Sequence, residues 1–259
     1  MDRKVLLALY DKEQRIDIEY PDLRKEVRDE VVRFTGPRER PSSHFVLYSR
    51  LTEKNVDEVI RAQIAYYGRR KLSFEWKVYD HDTPPDLRAR LIVHGFKPRE
   101  RDAIMVLNVR EASSAILQPV ELDVRRLTEP AQVKILTDLL EEVWQTDFSG
   151  LRTLLEEDLR ERPSFSSIYI AYIADNPACV GWVQFHEESQ FASLWGGTTL
   201  PQYRGRGLYT AVLAVRVQEA IRRGHSFLTI DASKMSRPIV EKYGFQLLTY
   251  AHACMWYPT

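Results

Sequence analysis

The chain contains the same short passage twice, and an internal repeat limits the folds open to a sequence more than its composition can. Arg69-Arg70-Lys71-Leu72-Ser73-Phe74 matches Arg222-Arg223-Gly224-His225-Ser226-Phe227 at four of six positions, an offset of 153 (222 − 69). Moving backward at that offset, Val59, Ile60 and Ile64 fall on Val212, Leu213 and Val217, the spacing of one buried helix face in both copies. Moving forward, FEWKVY at 74–79 and FLTID at 227–231 read as strands, each followed by a short helix that ends in Gly-Phe, at Gly95-Phe96 and Gly244-Phe245. The second offset is 149 (244 − 95), so the first copy holds four extra residues, placed around Asp82-Thr83-Pro84-Pro85, where prolines mark a loop. A further strand candidate follows each Gly-Phe, at 103–109 and 246–257. Small residues and a proline between Glu111 and Pro119 interrupt the pattern, which divides the chain into domains at 1–118 and 119–259.

The second domain reads as a strand at 121–127, helices at 130–145 and 150–160, and three successive strands at 167–174, 180–186 and 191–199. A helix at 208–223 follows, with Gly224 as its stop and Arg222-Arg223 in the last turn, where cations meet the negative end of the helix dipole. The remaining strand, helix and strand are expected to complete the sheet of this domain. Consecutive strands followed by a strand–helix–strand crossover predict an α+β fold of mixed α/β layers.

The 259 residues carry 37 basic and 37 acidic side chains, a net charge of zero that gives no support to binding of nucleic acid or of an anionic membrane. The apolar runs fall far short of the roughly 18 residues needed to cross a bilayer. Residues 5–10 are apolar but stop at Asp11 with no small-residue cleavage site behind them, so a secretory signal is not read and the expected location is cytoplasmic. Cys179 and Cys254 offer at most one bridge and no metal-ligand spacing, so no metal is expected. Nothing in the sequence speaks to oligomeric state.

The segment with chemical content is LWGGTTLPQYRGRGLY at 194–209, which runs from a strand through a glycine-rich turn into a helix. Gly205 and Gly207 let backbone N–H groups turn toward one point, the helix N-terminus adds its own, and Arg204 and Arg206 supply charge, so the turn suits a pyrophosphate. A P-loop would need Gly-Lys-Ser/Thr, and here Leu208-Tyr209 follows Gly207. A dinucleotide-binding turn has Thr210 in place of its third glycine, and residues 201–204 separate the strand from Gly205, although Asp231 lies about where a ribose-binding acid belongs. Gln202-Tyr203-Arg204-Gly205-Arg206-Gly207 resembles the Q/R-x-x-G-x-G/A signature of the GNAT superfamily of acyl-CoA-dependent N-acyltransferases. The resemblance spans about residues 121–257 and includes the lead-in Thr199-Leu200-Pro201 and the late Gly-Phe.

The resemblance implies a GNAT-like fold that holds acetyl-CoA at a splay between central strands, with its pyrophosphate on the N–H groups of Arg204, Gly205, Arg206, Gly207, Leu208 and Tyr209. It also implies an oxyanion donor on the backbone of Thr198, Thr199 and Leu200, which with Gln202 and Tyr203 complete the expected cofactor set. Gly196-Gly197 fits a bulge or close approach there, or makes room for Trp182 or Trp195. Transfer to an amine needs a base, because an alkyl ammonium with a pKa of about 10 is nearly all charged at neutral pH. Glu187, Glu188, His186 and Asp231 are the base candidates, with Glu188 put forward, although 186–190 reads as a hairpin turn. Many relatives place a tyrosine acid four residues before the glycine of the late Gly-Phe, where this chain has Val240; Tyr243 is the nearest substitute, three residues along the helix. The acceptor implied is an amine of a small molecule or of a protein. An acyl-CoA-binding sensor without turnover is the alternative.

In the first copy, Thr52 and Lys54 occupy the positions of Gly205 and Gly207, and Asn55 with Glu58 suggests a capping box that satisfies the helix N-terminus internally. Residues 1–118 are therefore expected to be a degenerate GNAT-like half that cannot bind acyl-CoA. The charged segment 11–30 is expected to be an exposed helix.

Overall fold

A computed structural model describes residues 1–28, 30–37 and 43–258. Its contacts cluster into two compact units, one of 1–104, 232–234 and 247–259, the other of 105–231 and 235–246. The boundary thus falls earlier than the 118/119 division, and the end of the chain does not stay with the half that precedes it.

In the first unit, α1 (Arg3–Asp11) runs into one π-helical turn (Lys12–Ile16), and strands β1 (Arg24–Arg28), β2 (Val31–Thr35) and β3 (His44–Ser49) follow. Then come α2 (Val56–Gly68), β4 (Phe74–Tyr79) and α3 (Leu87–Val93), and β5 (Lys97–Asn108) leads out of the unit. The charged stretch 11–30 is not one helix: it breaks at Ile16, and its Arg- and Lys-rich end is the edge strand β1. Charge on an edge strand blocks pairing with another chain, which satisfies the same composition. The strand order is β1-β2-β3-β4-β11-β5, where β11 (Gln246–Trp256) is the last strand of the chain. It pairs antiparallel with β4 from Ala251↔Tyr79 to Trp256↔Phe74, and Cys254 joins the core built from Tyr67, Phe74, Trp76 and Phe96.

Beneath that sheet Arg15 is fully buried, with Asp11 at 2.7 Å, Asp82 at 2.6 Å and the Tyr79 ring centroid at 3.8 Å. His81 extends the cluster, its Nε2 at 2.9 Å from Asp11 and its Nδ1 at 3.2 Å from the Thr249 hydroxyl on β11. A guanidinium removed from water needs this saturation by acceptors, so the cluster fastens α1 to the strands.

The second unit holds β6 (Val124–Arg126), α4 (Val133–Trp144), α5 (Ser149–Glu161), β7 (Ser166–Ile173), β8 (Asn176–Phe185) and β9 (Phe191–Thr199). It continues with α6 (Leu208–Arg222), β10 (Phe227–Ala232, of which 232 belongs to the first unit) and α7 (Arg237–Glu241). Strands order β5-β10-β9-β8-β7-β6, and β10 runs parallel to β9 with Phe227 opposite Phe191. Ala174 and Asp175, both at positive φ, make the two-residue turn between β7 and β8 that suits the right-handed twist of a hairpin. The core formed with α4 and α5 takes Ile168, Ile170, Val180 and Trp182, while a separate cluster joins Tyr169, Ala171 and Cys179 to Leu208 and Val212 of α6. Alternate residues of β7 and β8 therefore serve two helical layers, as the mixed α/β reading requires. No helix among the described residues is long and apolar enough to cross a membrane.

The repeat is visible in the elements: α2-β4-α3-β5 and α6-β10-α7-β11 follow the same order. Both long helices close in the same way, with Lys71 N–H to Gly68 O and Leu72 N–H to Tyr67 O in one copy, and Gly224 N–H to Ile221 O and His225 N–H to Ala220 O in the other. The left-handed residue is Lys71 (φ 56°) in the first and Gly224 (φ 85°) in the second. Lys71→Gly is therefore expected to raise stability by up to about 1 kcal/mol, because the left-handed conformation costs a residue with Cβ about 1–2 kcal/mol and the added chain entropy of glycine offsets part of the relief. A urea melt of the variant checks this; a loss of stability would contradict it.

Candidate functional site

The turn between β9 and α6 is shaped by its two glycines. Gly205 and Gly207 lie at φ 74° and 77°, a region costly for any residue with a Cβ. A Cβ on Gly205 would have no atom within 4 Å, and one on Gly207 would meet only Leu122 Cδ1 at 3.9 Å, so both positions face open space. Pro201–Tyr203 forms one 3₁₀ turn closed by Tyr203 N–H to Leu200 O, and the chain then opens into α6 with Gly207 as N-cap. The Ala211 N–H bonds to Gly207 O at 3.0 Å, so the N–H groups ahead of it lie outside the helical ladder. The Arg204 N–H already bonds Pro201 O at 3.3 Å, so an anion here would meet the N–H groups that follow it and the positive end of the helix.

Arg204 folds back, its Nε donating to Thr199 O at 3.2 Å, and Arg206 stacks on the Tyr203 ring at 5.6 Å. Gln202 is exposed on the 3₁₀ turn. Leu208 is buried and anchors the helix start, while the Tyr209 ring lies against Gly197, where a Cβ would come within 2.7 Å of it. Burial raises the Tyr209 pKa, and the charge of Arg216 pulls it the other way.

Just before the turn, β9 carries a bulge. Val180 pairs with Thr198 and Trp182 with Trp195, so three steps on β9 face two on β8. Gly196 sits in it at φ 60° with Trp182 packed so closely that a Cβ would overlap the indole, and Gly197 admits Tyr209 from below. Both readings of Gly196-Gly197 therefore hold: a bulge, and room for Trp182. Thr198 accepts from Trp144 Nε1 at 3.2 Å, and Thr199 donates to Cys179 Sγ at 3.2 Å. Burial pushes the Cys179 thiol up to about 11, so it is a packed hydroxyl acceptor and not a thiolate. Leu200 is corrected as a ligand-binding residue: its side chain is buried, its N–H bonds Ala178 O at 3.0 Å, and its carbonyl takes Tyr203 N–H at 2.9 Å.

The two catalytic candidates part ways. Tyr243 follows α7, and its hydroxyl lies 2.8 Å from Thr210 Oγ1 in the first turn of α6, although helical spacing alone turned it elsewhere. Glu188 is exposed in the β8–β9 turn, at the far end of β9 from Thr199. At about 3.3 Å per residue a strand of that length separates the two ends by more than 20 Å, so Glu188 is not brought to the turn, nor is its neighbour Glu187. Val240 is fully buried in the core and offers no proton. Sequence reasoning missed Trp144, Thr210 and Arg216, the last a fully buried arginine on the inner face of α6. Arg216 alone left a trace, as a charge among the apolar positions Val212, Leu213 and Val217.

Comparison with known proteins agrees with this geometry. The acetyltransferase (GNAT) family model matches residues 131–245. Among solved structures, a GCN5-related N-acetyltransferase from Kribbella flavida is 13% identical, with 96% of this chain and 94% of that one covered at a TM-score of 0.71. A GCN5-related N-acetyltransferase from Sphaerobacter thermophilus is 12% identical over 90% and 82% at 0.63. A tandem GNAT protein from the clavulanic acid biosynthesis pathway is 10% identical over 93% and 85% at 0.59. A search of curated protein sequences gives no significant match. The fold is that of these solved structures, one of them a tandem GNAT protein, and residues 131–245, which include the bulge, the glycine turn and α6, match the GNAT acetyltransferase family model.

Proposed function

We propose that the second unit binds acetyl-CoA on the turn 204–209 and transfers the acetyl group to an amine of a small molecule or of a protein by direct attack. The observation that carries this reading is the pair of left-handed glycines facing open space at the start of α6, a cradle that a pyrophosphate fits and side chains would close. Bound acetyl-CoA supplies the activated acyl group. With the Leu200 N–H already bonded, the oxyanion donor is sought at the bulge, on the N–H groups of Gly197 and Thr198. The Tyr243 hydroxyl, held by Thr210 beside the turn, is the candidate proton donor to the departing thiolate.

The corresponding turn of the first unit differs. Thr52 and Lys54 stand where the glycines are, and neither is at positive φ. The expected capping box is not formed: Asn55 Oδ1 accepts from Thr52 N–H at 2.7 Å, and Asn55 N–H and Val56 N–H bond Thr52 O at 3.3 and 3.1 Å. The donors that would meet an anion are occupied by the loop itself, so this unit is read as the degenerate half.

A sensor without turnover is the second reading, favoured by the buried Val240 in the position of the tyrosine acid. A thiol-trapping assay across a panel of amines separates the two. Release of coenzyme A that depends on both an amine and the Tyr243 hydroxyl supports transfer. Tight acetyl-CoA binding with no amine-dependent release supports the sensor.

A further inference from the structure

Arg216 is a fully buried cation on α6, in contact with both strands at the bulge. Its Nε donates to Val212 O on its own helix at 2.9 Å, while Nη1 donates to both Trp182 O at 3.2 Å and Trp195 O at 3.1 Å. Those two residues are register partners at the edge of the bulge, where the ladder between β8 and β9 shifts. The carbonyls of both partners accept from this one guanidinium nitrogen. Gly181, between the two registers on β8, makes room for it: a Cβ there would lie 2.9 Å from Cζ and from Nη1.

The residue has no conventional reason to be charged. It is completely buried, and the ionisable groups that act on it are Tyr209, Cys179 and Tyr169, none of them a carboxylate. Nη2 is buried and finds no partner among the described residues. A leucine or methionine would fill such a place without the cost of desolvating a cation. What an apolar side chain cannot do is bond two carbonyls at the edge of the bulge.

We propose that Arg216 is a positioning residue that fixes the β8–β9 bulge by bonding the Trp182 and Trp195 carbonyls at its edge, and so aims the Gly197–Thr198 backbone at the acyl group. The inference rests on the reading of the turn as an acyl-CoA site. It assigns the nucleotide end of the ligand to the glycine turn and the acyl end to a surface that Arg216 shapes.

The test compares two ligands by calorimetry: acetyl-CoA, and adenosine 3′-phosphate 5′-diphosphate, its nucleotide end alone. Arg216→Met is expected to weaken acetyl-CoA by about tenfold or more while leaving the nucleotide within about threefold, and Arg216→Lys, which can reach a carbonyl with a point donor, is expected to recover part of the loss. Amide exchange in residues 195–199 is expected to quicken in Arg216→Met while the C-terminal turns of α6 keep their native protection. Should Arg216→Met fail to fold, Gly181→Ala applies a smaller push on the same guanidinium and is expected to give the same selective loss. A folded Arg216→Met, or failing that Gly181→Ala, that loses neither ligand or both equally overturns the proposal while leaving the cofactor reading intact. A native chain that binds neither ligand removes the cofactor reading and this inference with it.

Discussion

Glutamate at position 207 is expected to lower acetyl-CoA affinity by about 100-fold or more, roughly 2.7 kcal/mol, in a chain that remains folded. Gly207 caps α6 at φ 77° with its Cα facing open space, so the new side chain meets little protein and projects where the pyrophosphate would lie. A carboxylate there takes the N–H groups at the helix start for itself and repels a second anion. The left-handed angle adds about 1–2 kcal/mol of strain to any residue with a Cβ, so Gly207→Ala is the necessary companion. Alanine carries the strain without the charge and is expected to keep most of the affinity. Equal losses in both variants would assign the effect to backbone geometry, and full affinity in Gly207→Glu would remove the turn from the site.

The largest loss of stability is expected from Glu219→Ala. This carboxylate is buried on α6, and accepts from Ser167 Oγ at 2.9 Å, Tyr169 OH at 2.8 Å and Arg223 Nη2 at 2.6 Å, tying the helix to β7. Removing it leaves buried donors unmet and one cation unpaired, a loss of about 3 kcal/mol. For a unit of this size that lowers the melting temperature by roughly 6–12 °C. Burial pushes the Glu219 pKa up, but the hydrogen bonds from Tyr169, Arg223 and Ser167 outweigh it and hold the group below its ordinary value. A depressed folded pKa means that the contribution is complete above the unfolded value of about 4.3 and is lost as pH falls through the folded one. The gap between native and Glu219→Gln stability is thus expected to be constant from neutral pH down to about 4.3 and to narrow below it. A gap that widens on acidification would contradict the assignment.

What the sequence made legible was local. The glycine turn, the helix behind it and the strand before it are each specified by residues within one or two turns of one another, and β9 and the start of α6 fall where periodicity put them. The repeat was legible for the same reason, since matching helix closures at Lys71 and Gly224 leave matching residues. The destination of β11 was not. β5 and β11 follow equivalent Gly-Phe turns, and the two halves offer related partners, so nothing near residue 246 tells that strand to pair with β4. Its choice is made by distant groups, such as Thr249 meeting His81 and Arg3 Nη2 donating to Leu248 O at 2.8 Å. Trp144, Thr210 and Arg216 escaped for the same reason: their importance lies in Thr198, Tyr243 and the Trp182–Trp195 pair, contacts 54 and 33 residues away along the chain for the first two. Glu188 illustrates the converse, a residue of suitable chemistry carried to the wrong end of its strand by the hairpin it helps to form.

One turn, 204–209, is proposed to bind acyl-CoA, and its counterpart at 51–56 is not. Calorimetric titration of the native chain with acetyl-CoA tests this most directly. One molecule is expected to bind per chain, with binding lost in Gly207→Glu; no binding, or two molecules per chain, would overturn this assignment of the turn.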